Sequence, residues 1–158
     1  MKIIKNANLI TMSEKYGNIE NGYVKIQDHK IIEVGKMSDF SDSNIDAEII
    51  EAEGRITTPG LVDAHSHLGM WEDGLDFEGD DGNEDTDPCT PQLRAIDAIN
   101  PMEASFREAF ASGITTVITG PGSANPIGGQ LAAIKTYGKR IDDMAVSYTH
   151  LRAHETGA

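Results

Sequence analysis

The chain carries one cysteine, Cys89, in 158 residues, so an intrachain disulfide is excluded. A solitary thiol suits a reducing cytoplasm, the expected location, and no basic residue adjoins Cys89 to lower its pKa, which argues against a nucleophile. Positive charge is scarce: 13 Lys and Arg against 26 Asp and Glu give a net charge of −13 and a pI near 4.6. Such a surface repels phosphate backbones and anionic lipid, so neither nucleic acid nor membrane is an expected partner. No apolar run approaches the ~20 residues needed to span a bilayer. The first residues carry Lys2, Lys5, Asn6 and Asn8 where a signal peptide has its apolar core. Phosphate-cradling loops are missing too. Gly120-Pro121-Gly122 and Gly128-Gly129 have neither the Gly-X-Gly-X-X-Gly spacing nor the Lys-Ser/Thr of a P-loop, and read as turns.

What the chain does have is Thr58-Pro59-Gly60-Leu61-Val62-Asp63-Ala64-His65-Ser66-His67. As a β-strand this stretch puts Asp63, His65 and His67 on one face, because side chains alternate. Two imidazoles side by side at a strand end suit one divalent transition metal, with zinc the first expectation. A bare His-X-His also occurs on strands that bind nothing. Asp63 reads either as a residue that holds the site's geometry or orients an imidazole, or as a structural carboxylate.

The Pro-Gly entry, two apolar residues and Asp-X-His-X-His resemble the opening of barrel strand one in the amidohydrolase superfamily of metal-dependent hydrolases. Upstream, Lys5–Thr11, Gly22–Ile26 and Lys30–Gly35 are similar to the small β-sandwich domain that precedes the barrel there. Arg94–Pro101 and Gly120–Asn125 resemble an imidazolonepropionase-like branch. The resemblance implies hydrolysis of carbon–nitrogen bonds other than peptide bonds, with a small-molecule substrate. It also implies further ligands and a general base on later strands, and is compatible with a homo-oligomer for the full-length protein. The non-enzymatic alternative is a binding or assembly module on the same fold, as in relatives that have lost their metal ligands.

The expected fold is α/β: part of a β-sandwich over residues 1–57, then the start of a (β/α)8 barrel over 58–145. Such a barrel takes about 250 residues, and fewer than 100 follow Gly60, so the chain is expected to be an incomplete and inactive fragment. Residues 146–158 resemble translated adaptor sequence, not a continuation of the family, and are expected to lack a partner; as a helix they would place His150 and His154 on one face.

Strands are expected over 2–11, 22–34 and 48–51, with turns at Gly17-Asn18 and Asp28-His29-Lys30. A helix is expected from the cap Asn100, with Pro101 first, Glu103 in capping-box spacing and Gly113 closing it. Ile114–Thr119 then reads as a buried parallel strand. Between Glu72 and Asp87 lie nine acidic residues and no basic one. They read as a solvated loop, as a cation site without EF-hand spacing, or as a loop on the active-site face where Trp71 and Glu72 line the substrate mouth.

Overall fold

A computed structural model of the chain describes residues 1–41, 46–72 and 75–153. The chain divides into two units, Met1–Pro59 and Gly60–Ala158. In the first, β1 (Lys2–Ile10) lies between antiparallel β2 (Asn18–Gln27) and two short parallel strands, β4 (Glu48–Glu51) and β5 (Ile56–Thr57). β3 (Lys30–Lys36) pairs with β2 across Asp28-His29. Both turn residues adopt positive φ, 49° and 64°, the backbone that a two-residue type I′ hairpin turn requires.

Register decides what each face of this sheet carries. One row runs Ile50, Ile4, Val24, Val34, and with Ala7, Leu9, Ile19 and Ala52 most of it forms the unit's apolar cluster. The neighbouring row runs Ile49, Ile3, Lys25, Glu33. There Lys25 Nζ pairs with Glu33 at 2.8 Å, the Tyr23 hydroxyl donates to the same carboxylate, and Phe40 meets the Tyr23 ring edge-on at 4.9 Å.

The second unit is a four-stranded sheet in the order β6 (Leu61–Ser66), β7 (Ile114–Thr119), β8 (Ile127–Lys135), β9 (Ala145–Ala153). β6 and β7 are parallel, joined by a crossover holding the single turn α1 (Ala95–Ala98) and α2 (Ala104–Ala111). This is the strand–helix–strand unit expected. Met70, Ala95, Ile99, Phe106, Val117, Ala132, Ile134 and Met144 pack between sheet and helices. β6 is an edge strand, and its Leu61 and Val62 remain 53 % and 63 % exposed.

Several expectations are corrected. The helix begins at Ala104, not Pro101, because Asn100 instead closes a turn: its Oδ1 accepts the Met102 N–H and its carbonyl the Glu103 N–H. Gly113 does end it, at φ +89°. Gly128-Gly129 is not a turn but lies within β8. Only seven residues separate β7 from β8, too few for a parallel crossover, so the sheet continues antiparallel. Residues 145–153 form β9 on the free edge of β8, with Leu131 opposite His150. Val146, Tyr148 and Thr149 favour a strand there, so His150 lies in a strand and not in a helix. His154 lies outside the described residues.

Glu33 is held below its ordinary value of 4.5, first by Lys25 and then by Tyr23; Tyr23 is pushed up to about 12 chiefly by its bond to Glu33. A lowered carboxyl pKa stabilises the fold above pH 4.5 and the contribution is lost as pH falls through the lower folded value. The tyrosine contribution is full below pH 10 and lost as pH rises through about 12. Urea titrations across pH should therefore show Glu33→Gln removing part of the wild-type acid-side slope. A second test concerns backbone space. Gly69 sits at φ +88° and a Cβ there would come within 2.9 Å of the Phe106 ring, whereas Gly113 has nothing within 4 Å. Gly69→Ala should cost about 1–3 kcal/mol by urea midpoint, and Gly113→Ala only about 1 kcal/mol.

Candidate metal centre

The His-bearing segment leaves the regular ladder just where its chemistry begins. Asp63 pairs with Val117 and Ser66 with Thr119, so β6 spends three steps where β7 spends two. A bulge of this kind re-aims the side chains that follow it. The Asp63 carboxylate accepts the His65 backbone N–H at 3.1 Å, bracing the bulge. Beyond it, Thr119 Oγ1 donates to the Leu68 carbonyl at 2.9 Å and Gly120 N–H to the Ser66 carbonyl at 3.3 Å.

His65 and His67 emerge with ring centres 5.4 Å apart and planes nearly perpendicular. Imidazoles sharing one tetrahedral ion, each nitrogen about 2.0–2.1 Å from it, place their ring centres roughly 5 Å apart. The observed separation is close to that value. His67 Nδ1 lies 2.7 Å from the Gly120 carbonyl. A carbonyl only accepts, so Nδ1 carries a proton; in the neutral imidazole the lone pair then sits on Nε2, the arrangement common to metal-binding histidines. Among the described residues no group of three or more His, Cys, Asp or Glu comes together to hold a metal.

Trp71 packs edge-on against His67 with ring centres 5.1 Å apart, so the structure brings it to the histidine pair. Its ring is seated on Gly82, where a Cβ would lie 2.1 Å from Cζ2. Glu72, expected beside it at a substrate mouth, instead accepts a hydrogen bond from the Asn100 amide. The acidic segment largely serves its own backbone: Asp80 accepts the Gly82 N–H and Asp87 the Cys89 N–H. Glu84 is lowered by the Thr86 hydroxyl and N–H. A cavity of about 210 Å³ lies behind this segment, lined by Met70, Gly82, Glu84, Arg94, Asp97 and Pro121 among others; neither histidine lines it. It falls short of the ~300 Å³ usual for ligand pockets.

The Gly120 carbonyl was not foreseen. Gly120-Pro121-Gly122 reads as a turn, and a backbone acceptor leaves no trace in residue type.

A parallel β–α–β unit with paired imidazoles at the carboxyl end of its first strand defines the α/β proteins whose ligands sit at strand ends. No family model matches the chain. It is 39 % identical over 115 residues to the amidohydrolase tasK of Hapsidospora irregularis, a match covering 72 % of this chain and 12 % of that protein. It is 46 % identical over 70 residues to the imidazolonepropionase of Colwellia psychrerythraea, covering 40 % of the chain and 17 % of the relative. A crystal structure of an amidohydrolase from Thermotoga maritima superposes with a TM-score of 0.80 at 36 % identity, covering 93 % of this chain and 37 % of that one. The chain thus spans well under half the length of each. It belongs to the amidohydrolase superfamily.

Trp71 is the only tryptophan, so its emission reports on this centre alone. Copper(II), the tightest-binding divalent ion for imidazole sites, should quench Trp71 fluorescence in the wild-type chain. The quenching should be lost in a His65→Ala, His67→Ala double variant of unchanged far-UV circular dichroism.

Proposed function

We propose that the protein to which this chain belongs is a metal-dependent hydrolase of carbon–nitrogen bonds other than peptide bonds, acting on a small molecule. The carrying observation is the histidine pair, spaced for one ion and with His67 Nδ1 committed to the Gly120 carbonyl. A divalent metal, zinc first, supplies a Lewis acid and draws the pKa of water from 15.7 down toward about 7. His65 and His67 would hold it through nitrogen. Gly120 fixes the tautomer and orientation of His67, Asp63 braces the bulge that presents both rings, and Trp71 shields one side of His67 from water.

A catalytic zinc site typically takes three protein ligands and a water. The chain by itself is therefore proposed to be inactive, with the remaining ligands and the general base on strands beyond these residues. The exposed outer edge of β6, with Leu61 and Val62, supports further strands pairing there to extend a (β/α)8 barrel. The half-exposed row of Ile50, Ile4 and Val34 supports a second layer that completes a β-sandwich on the first unit. No described helix is long and apolar enough to cross a membrane; the cytoplasmic reading rests on the single thiol.

In the full gene product, His65→Ala and His67→Ala should each reduce stoichiometric zinc to background by elemental analysis and abolish hydrolysis with it. Wild-type zinc content in both variants would refute the metal role and favour a binding or assembly module.

A further inference from the structure

The loop after β7 holds both sides of the histidine-bearing end. At its start the Gly120 carbonyl takes the His67 Nδ1–H. Two residues on, the Gly122 N–H donates to the Gly82 carbonyl at 2.7 Å, and Gly82 is the seat of the Trp71 ring. Trp71 in turn packs on His67. The contacts close a ring: His67, Gly120, Gly122, Gly82, Trp71 and back to His67. A backbone ring of this kind drifts unless its loops are pinned from outside, since loops are the least stable parts of a fold.

The pin is Asn125. It is 8 % exposed, and its Nδ2 donates both to the Glu84 carbonyl at 2.7 Å and to the Asp87 carbonyl at 3.1 Å. One buried amide thus ties the acidic segment to the loop after β7 where that segment turns away from Gly82. The first half of the acidic run has its own ties, with the Asp81 N–H donating to the Met70 carbonyl at 2.9 Å and Asn100 holding Glu72, whereas the Glu84 and Asp87 carboxylates serve only their own backbone neighbours. We infer that Asn125 is a positioning residue for the histidine centre: by clamping residues 84–87 it keeps Gly82 under Trp71 and Trp71 against His67. This rests on the proposed metal role only for its consequence, not for the clamp itself.

The experiment uses the whole chain and Trp71 as the probe. Asn125→Asp is nearly isosteric but turns an acceptor toward two carbonyls; Asn125→Ala removes the donors without adding repulsion. Both variants should red-shift Trp71 emission and steepen its quenching by acrylamide, Asn125→Asp more than Asn125→Ala. Both should weaken copper(II) quenching in apparent affinity, by less than the ~10-fold that loss of a ligand's own hydrogen-bond partner costs. Ile134→Val, a conservative change in the same unit's core, serves as the control for general loss of stability. It should leave the Trp71 signals at wild-type values. The inference is overturned if folded Asn125→Asp and Asn125→Ala both keep the wild-type acrylamide slope, or if Ile134→Val steepens it equally. Wild-type Trp71 that ignores copper while the Asn125 variants still steepen acrylamide quenching would support the clamp and sink the metal reading alone.

Discussion

The hydrogen bond from His67 Nδ1 to the Gly120 carbonyl joins the carboxyl ends of two parallel strands through a side chain. Everything that gives the second unit a candidate chemistry hangs on it. It fixes which nitrogen of His67 is available and sets the ring's direction. It also ties a residue one step past β6 to the first residue past β7. The two strands need only stay in register for the bond to form, and the Val117 side chain buried beneath them, with Phe106 and Ile134, holds that register. Core packing therefore acts on the site at one remove, through strand alignment.

Burial in this unit is uneven in a way that follows its topology. The centre of the sheet is enclosed by α1, α2 and α3 (Ile141–Met144), with Ala132, Ile134 and Met144 fully buried. The strand that carries the histidines is exposed along its outer edge. A strand at an edge has half the backbone hydrogen bonds of a central one, so the geometry of β6 leans on local devices: the Asp63 brace and the contacts from Thr119 and Gly120. These short-range bonds hold the end of β6 where the ladder on its other side is missing.

Much of this architecture was legible because its signals are local. The hairpin turn at Asp28-His29, the strand Ile114–Thr119 and the helix-ending Gly113 each follow from the backbone preferences of a few adjacent residues, whereas β2 starts at Asn18, inside the turn expected at Gly17-Asn18 and ahead of the strand expected from 22. The spacing of His65 and His67 already suggested a shared face, and the family resemblance followed from the same ten residues, though His67 stands past the end of β6 and beyond its bulge. What escaped depends on partners distant in sequence. The bulge between Asp63 and Ser66 arises from matching β6 to β7. β9 exists because β8 offers an edge, and the Asn100 amide that closes the turn before the helix also reaches Glu72, 28 residues before it. Trp71 meets His67 and Glu72 meets Asn100, contacts made across the fold that no adjacent residue announces.

Gly69 joins the histidine segment to the helices behind it. The space its missing side chain leaves is filled by Ile99 from the end of α1 and Phe106 from α2, both buried. Positions 69, 99 and 106 consequently share one volume, and substitutions among them will not be additive. A larger residue at 69 becomes tolerable only alongside a smaller one at 99 or 106, and only if it accepts positive φ. In relatives of this chain these three positions should vary as a set, with glycine at 69 wherever a bulky ring occupies 106.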